Sequence, residues 1–520
     1  MRDGTNLARY LLAEGTDDDP LLVSPTDGTH TRGQVRVAVA SLSRAFVADG
    51  LTGTRVGLDL SPSFGAVAAY LALLAADNTV VLARRIEQPP WPAYLDAAEL
   101  TAVVQARDGA VAVRRDGTET TLALPGHAAA GEPAPAAAGE PQPAPDADAD
   151  APGTTSPQPA GADGDSAEIV FAEPTRPAVN LFTSGTTGRP KMVELSHDAL
   201  RHSCEAILDR VPLAPDTRTA LVLSLAHSFG LSVLNTHLRA GASLYCVERA
   251  EFPGDVLRAF VEGGANGMAG VPTQLRSLTA TITRDPRRDL QIGVVLQAGG
   301  RLEPDDAQAL VAALPADCRL YQMYGQTEAA ARIAILPADA YEKAPTSVGM
   351  PIHGLTVRIL DDAGAEVPSG TEGQIVVQGT TLMDGYYGDP AATAEVLREG
   401  WLHTGDLGHL DEDGYLYISG RRSTFVKIDG ERISLEAVEH AVLAAHPGDV
   451  TDALARPVKT DRGWAIVLEV VGSDDKAVHR KLKEAVRLAV GKKAVPAVVR
   501  NVESVPYTDN GKKSRPDQVY

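Results

Sequence analysis

The stretch AVNLFTSGTTGRPK, Ala178 to Lys191, places a strand-like apolar run, Ala178-Val179-Asn180-Leu181-Phe182, directly before a segment of hydroxyl residues, glycines and a lysine. Gly185 and Gly188 let the backbone turn tightly and bring N–H groups to an anion. Ser184, Thr186 and Thr187 add hydroxyl donors beside Thr183, and Lys191 adds charge. The loop therefore suits a nucleotide polyphosphate. Its lysine follows Arg189-Pro190 instead of the last glycine, so the pattern departs from G-x-x-x-x-G-K-[ST], and a Ras-like or ATPase core is not expected.

Around this loop, β-like and helical runs alternate. Leu221 to Leu225 reads as a strand, Leu231 to Ala240 as a helix, and Ser243 to Val247 as the next strand. Further upstream, Tyr70-Leu71-Ala72-Leu73-Leu74 reads as an apolar helix leading into Thr79 to Leu82. Such alternation predicts layered α/β structure with largely parallel sheet. A chain of 520 residues exceeds what one core usually supports, and 44% hydrophobic residues is ordinary for a globular protein.

The three cysteines, Cys204, Cys246 and Cys318, are far apart and form no C-x-x-C pair, so buried free thiols in a reducing, cytoplasmic setting are expected. No apolar stretch approaches the roughly 20 residues of a membrane span, and the apolar part of the first 15 residues is too short for a secretory signal. The formal net charge of −20 opposes binding to nucleic acid or anionic membrane. Eight acidic residues lie between Gly126 and Glu168, where Lys and Arg do not occur. That Ala/Pro/Asp-rich segment has almost nothing able to nucleate a core, and it reads as a disordered insertion over 126–168.

Five segments recur in a known order: TSGTTGRPK, then Tyr324-Gly325-Gln326-Thr327-Glu328, Gly400-Trp401-Leu402-His403-Thr404-Gly405-Asp406, Gly420-Arg421, and Asn510-Gly511-Lys512. Together they resemble the adenylate-forming superfamily of acyl- and aryl-CoA synthetases, peptide-synthetase adenylation domains and luciferases. The likeness runs from about Ala178 to the C-terminus. Before it, Ala83-Arg84-Arg85 stands where the family has a proline-rich strand end.

The resemblance implies a large domain of layered α/β subdomains over 1–421 and a small mobile α+β domain over 422–520, with ATP and Mg²⁺ as partners in catalysis. Thr183 to Lys191 would hold the β- and γ-phosphates, Thr327 the α-phosphate and Glu328 the metal. Tyr324 with Gly299 and Gly300 would form the adenine slot, Asp406 would accept the ribose hydroxyls, and Arg421 would add a ribose or phosphate contact. Lys512 would bridge carboxylate and α-phosphate oxygens as charge gathers between them. His227 would close the acid pocket, walled by Phe229, Val271, Gln297, Gln322 and Met323, with Gly325 leaving depth below. That lining suits a moderately sized, partly apolar acid.

In relatives the small domain then rotates so that its other face serves acyl transfer to coenzyme A or a carrier-protein phosphopantetheine. Lys427 and Gly430 lie on that face, and Ser423 takes the hinge position that is usually Asp or Lys. The expected activity is adenylation of an aryl or medium-chain acid followed by thioester formation. Heavy Ala, Gly, Pro and Arg usage suits a GC-rich bacterium and a role in secondary metabolism. Two other readings stay open at this point: activation of nitrite to diazotise an aryl amine, and a nucleotide-binding regulator without catalysis.

Overall fold

A computed structural model describes residues 5–83, 95, 98–107, 109–125, 168–183, 191–247, 252–284, 286, 290–421, 424–428, 431–446, 448–460, 463–506 and 513, without the side chains of 427 and 432. Two large sheets dominate it. The nine-stranded sheet runs, in spatial order, Met350–Pro351, Ala334–Leu336, Arg319–Tyr324, Val294–Gln297, Gly267–Gly270, Arg218–Leu221, Ser243–Cys246, Pro20–Ser24 and Gly28–Thr31. Its six inner strands, from Arg319–Tyr324 to Pro20–Ser24, are parallel, and antiparallel strands finish both edges.

The eight-stranded sheet has the same plan. Parallel strands Val179–Thr183, Thr79–Ala83, Arg55–Asp59 and Ala102–Arg107 form its centre. Lys191–Leu195 and Gly385–Tyr386 extend one edge, and Ala110–Arg115 and Thr118–Ala123 the other, all antiparallel. The helix Phe64–Ala75 carries no charged residue and is buried at every position, as a helix apolar on all faces must be. Ser63 caps it by accepting from the Ala66 N–H. One continuous core joins this helix to residues of both sheets, Leu58 and Val80 from one and Leu22, Leu221 and Leu244 from the other.

A smaller antiparallel sheet of Leu355–Leu360, Gly373–Gly379, Trp401–Leu410, Leu397–Arg398 and Leu416–Arg421 follows. After Arg421 the chain forms the hairpin Phe425–Ile428 and Glu431–Ser434. It then forms a three-stranded sheet, Val450–Thr460, Gly463–Gly472 and Val498–Asn501, with helices Leu435–Ala445 and Lys476–Ala489. These elements share a core of their own, its buried residues lying between Val426 and Ala494 with Val499 packed against them.

The expected apolar helix and its following strand are present, as Phe64–Ala75 and Thr79–Ala83. The strand expected over Leu221 to Leu225 ends at Leu221; beyond it the backbone is irregular, with Val222 buried, Leu223 half-buried and Leu225 buried in a turn. The insertion read over 126–168 lies outside the described residues except for Glu168. On either side of it the chain is anchored to the same helix. Leu124 lies where a Cβ on Gly65 would stand, and the Ala172 N–H donates to the Ala75 carbonyl at 2.8 Å. Replacing residues 127–166 with a short Gly-Ser linker is therefore expected to leave whatever turnover the chain supports within about twofold, because loop closure depends only weakly on length. Steady-state kinetics of the deletion variant check this.

All three cysteines are free, and burial pushes each thiol up to about 12. Among the described residues no helix is long and apolar enough to cross a membrane.

Candidate active site

Parallel sheets place functional loops at the carboxyl ends of their strands. Four neighbouring parallel strands do so here: Leu221 leads to His227, Gly270 to Val271, Gln297 to Gly299 and Gly300, and Tyr324 to Glu328. Residues separated by a hundred positions are thereby gathered along one edge of the nine-stranded sheet.

Glu328 lies in the single 3₁₀ turn Thr327–Ala329 that follows strand Arg319–Tyr324. Two contacts from the edge of the other large sheet fix it. The Met383 N–H donates to its carbonyl at 2.9 Å, and the Tyr386 hydroxyl donates to its carboxylate at 2.8 Å. Burial, reinforced by the Glu328 charge, raises the Tyr386 phenol well above its ordinary range, so it stays a neutral donor. The Lys191 ammonium stands 4.8 Å from the centre of the same ring. Tyr386 thus joins the end of the phosphate loop to the expected metal carboxylate. Sequence reasoning missed it, because only the pairing of Gly385–Tyr386 with Lys191–Leu195 brings it in.

Thr183 and Lys191 face each other across an antiparallel pair, and the Thr183 hydroxyl donates to the Lys191 carbonyl at 3.4 Å. The segment expected to hold phosphate therefore joins two strands, and helix His197–Arg210 begins only after Lys191–Leu195. Ser184, Gly185, Thr186, Thr187 and Gly188 lie outside the described residues, as do Ser423, Gly430 and Lys512. Lys427 pairs with Arg432 in the hairpin after Arg421.

Asp406, 3% exposed, holds two of the expected nucleotide residues at once. The Tyr324 hydroxyl donates to one carboxylate oxygen at 2.5 Å and Arg421 Nε to the other at 2.9 Å. Burial and the Asp406 charge raise the Tyr324 phenol well above its usual range, and Asp406 raises the Arg421 guanidinium. Each carboxylate oxygen still has a free lone-pair direction, so two further hydroxyl donors can be accepted. Gly299 and Gly300 are exposed, and Gly299 has φ +82° with Val271 packed where its Cβ would stand.

His227 precedes helix Ser228–Ala240 at its N-cap position. Ser228, its neighbour, accepts a hydrogen bond from the Thr327 hydroxyl at 3.2 Å, so the His227 turn and the Thr327–Glu328 turn touch. Gln297 and Gln322 are buried side by side on paired strands and donate to the carbonyls of Gly300, at 2.7 Å, and Pro345, at 3.4 Å. Gly325 needs correction. It does not leave depth, because the Ala331 carbonyl and Arg332 backbone fill the place of its Cβ, with Ala331 O 2.0 Å from that point. Its missing side chain permits that close approach. Met323 and Phe229 meet at a residue absent from the sequence-based set, Arg332. It donates from Nε to Met323 Sδ at 3.0 Å, and its Cζ lies 4.4 Å from the centre of the Phe229 ring.

Among the described residues no group of three or more His, Cys, Asp or Glu side chains is arranged to hold a metal. A single positioned carboxylate is the donor set for Mg²⁺ that arrives on nucleotide phosphates, since that ion keeps several waters and takes only one or two protein carboxylates.

A sequence description of AMP-binding enzymes matches residues 12–387. A feruloyl-CoA synthase of Amycolatopsis sp. is 34% identical over 337 residues, 64% of this chain and 67% of that protein. The sulfoacetate–CoA ligase of Cupriavidus necator is 30% identical over 515 residues, 96% of this chain and 94% of its own. In fold, the chain is similar to the O-succinylbenzoate coenzyme A synthetase of Bacillus subtilis in complex with AMP. The TM-score is 0.77 at 20% identity, covering 98% and 96% of the two chains.

Proposed function

Because the chain belongs to the AMP-binding enzymes of the adenylate-forming superfamily, we propose that it uses ATP to convert an aryl or medium-chain carboxylic acid into its acyl adenylate and passes the acyl group to a thiol. The acid's carboxylate oxygen attacks the α-phosphorus, the bond to the β-phosphate oxygen breaks, and pyrophosphate leaves. In the second step the thiol sulfur attacks the acyl carbon and AMP departs. Coenzyme A is the acceptor best supported by the relatives, which include a feruloyl-CoA synthase and a sulfoacetate–CoA ligase. A carrier-protein phosphopantetheine would present the same thiol.

The observation that carries this reading is the pair of carboxylates placed for different tasks. Asp406 is buried and held between Tyr324 and Arg421, which suits a ribose acceptor. Glu328 is oriented by Tyr386 beside Lys191, as a carboxylate for nucleotide-borne Mg²⁺ needs. When bound, that ion offsets phosphate charge as pyrophosphate departs. Thr327, tied to Ser228 next to His227, suits the α-phosphate, and His227 and Phe229 suit the acid side. The separate core between Val426 and Ala494 supports a small domain over 422–520 that moves about the segment containing Ser423. The three free thiols support a cytoplasmic setting.

Two experiments address the assignment. Pyrophosphate release is measured with ATP and Mg²⁺ across aryl acids, fatty acids and nitrite, with and without coenzyme A. Release with a carboxylic acid and formation of its CoA thioester is the expected result, and release with nitrite alone would sink it. In the second, Tyr386→Phe frees the Glu328 carboxylate. Losing one hydrogen bond, about 1 kcal/mol, raises the Mg²⁺ concentration for half-maximal rate about 3- to 10-fold, read by metal titration. An unchanged Mg²⁺ requirement would separate Tyr386 from the metal site.

A further inference from the structure

Arg332 is the most unusual charged residue in the protein. It is 2% exposed, and no carboxylate pairs with it among the described residues. Nε reaches Met323 Sδ, a weak acceptor, and Nη1 donates to the Ala331 carbonyl at 2.8 Å. The three other N–H bonds, one on Nη1 and two on Nη2, find no acceptor among those residues. Burial lowers the guanidinium to about 9, which leaves it cationic at neutral pH.

The other deeply buried arginine shows what a structural role looks like here. Arg32, 1% exposed, donates to the carbonyls of Glu14, His237, Leu238 and Ala242. Those at 237 and 238 end helix Ser228–Ala240, whose dipole adds negative character there. Both terminal nitrogens of Arg32 are answered by carbonyls, only its Nε finding no acceptor, whereas Arg332 is held at Nε and Nη1 by its flanks and its Nη2 is unanswered among the described residues.

The chain goes to some lengths to put it there. Ala330 and Ala331 both have left-handed backbones, φ +45° and +83°, which side-chain-bearing residues seldom adopt. The Ser203 hydroxyl donates to the Ala330 carbonyl at 2.6 Å, and the Ala331 N–H to the Gln326 carbonyl at 3.1 Å. The Ile333 N–H then returns to the Tyr324 carbonyl at 2.8 Å. Arg332 therefore stands opposite Gly325, five residues after Thr327, with its cation on the face of Phe229, two residues after His227.

We propose that the acid bound at this site carries a second anionic group, most simply a carboxylate at the end remote from the reacting one, and that Arg332 receives it through the free edge of its guanidinium. This rests on the assignment of the His227–Phe229 and Tyr324–Glu328 segments to the acid pocket. A planar guanidinium fork matches a carboxylate in a way an ammonium does not, and the Phe229 face keeps the fork in plane. Arg332 is thus a specificity determinant, and the pocket is selective against acids that are apolar throughout.

The test compares matched probes that differ only in the remote charge: 1,4-benzenedicarboxylate with its monomethyl ester, 4-carboxycinnamate with its methyl ester, and suberate with its monomethyl ester. The readout is the ratio of kcat/KM, diacid over ester, for pyrophosphate release by the full-length enzyme. Wild type should favour the diacid in at least one pair by about 100-fold, and Arg332→Met should reduce that ratio to near one, mainly through KM. Arg332→Lys should restore only part of it. Because the ratio is taken within one variant, a general loss of fold or turnover cancels. A wild-type ratio at or below one in all three pairs, or a preference unchanged in Arg332→Met, overturns the proposal. Should no acid release pyrophosphate, adenylation itself fails as a reading. The same probes are then titrated calorimetrically, and Arg332-dependent tighter binding of a diacid upholds the proposal while equal or absent binding of diacid and ester overturns it.

Discussion

Replacing Lys512 with alanine is expected to lower the rate of adenylate formation by about 10³-fold while changing ATP affinity less than about threefold. A fixed cation matters most where charge gathers, between the attacking carboxylate and the α-phosphate, and removing one such contact typically costs about 10²- to 10³-fold. Loss of the lysine proposed to bridge these groups is expected at the upper end of the range. The ground-state triphosphate is assigned to the Thr183 to Lys191 segment in the proposed reading, so binding is expected to survive. Its neighbour provides the control. The Lys513 ammonium is already engaged by Glu439 at 3.3 Å, Asp452 at 3.1 Å and the Ala453 carbonyl at 2.5 Å. Lys513→Ala should therefore lower the Tm, by removing one cation from the buried Glu439, and reduce kcat far less than Lys512→Ala. Single-turnover formation of adenylate separates the two variants, and equal kinetic losses in both would contradict the assignment of Lys512.

The second large effect is expected at Asp406. Asp406→Ala removes at once the acceptor for Tyr324, the partner of Arg421 and the group proposed for the ribose hydroxyls. Truncating one member of a buried, hydrogen-bonded charge pair costs about 2–5 kcal/mol. Arg421 is partly exposed, its side chain 44% accessible, so water offsets some of its loss and the lower half of that range applies. Affinity for ATP should fall about 30- to 400-fold, measured by calorimetric titration, with a modest drop in Tm. Asp406→Asn should fall between, since the amide oxygen can still accept from Tyr324 while the charge facing Arg421 is gone. Wild-type ATP affinity in Asp406→Ala would remove this residue from the nucleotide site.

Much of this site is legible in the sequence because its polar residues lie in short runs at strand ends. Tyr324 to Glu328 and Leu402 to Asp406 can be read as units, and the apolar run Tyr70 to Leu74 announces a buried helix by composition alone. What escapes is set by distance along the chain. Tyr386 reaches Glu328 only through a two-residue edge strand, and Ser228 meets Thr327 across 99 positions. The run Leu221 to Leu225 misleads because burial and strand look alike in a short apolar segment. Here Leu225 is buried in a turn, and Gly230 lets the following helix close on the Ser224 carbonyl. Gly325 misleads for a related reason, since a glycine marks close approach without telling what approaches. Arg332 follows three alanines and reads as an ordinary loop cation until its burial is known.

The central claim is that the acid's own oxygen attacks the α-phosphate, and isotope transfer tests it directly. The enzyme is supplied with ATP, Mg²⁺, coenzyme A and a carboxylic acid substrate labelled with ¹⁸O in both oxygens of its reacting carboxylate, and the AMP is collected for mass spectrometry. If an acyl adenylate forms and the thiol attacks its acyl carbon, each AMP carries one ¹⁸O and the thioester retains the other. AMP free of label alongside labelled thioester would mean that the acid never bonded to the α-phosphorus, and the account of this site as an acid-adenylating one would be wrong.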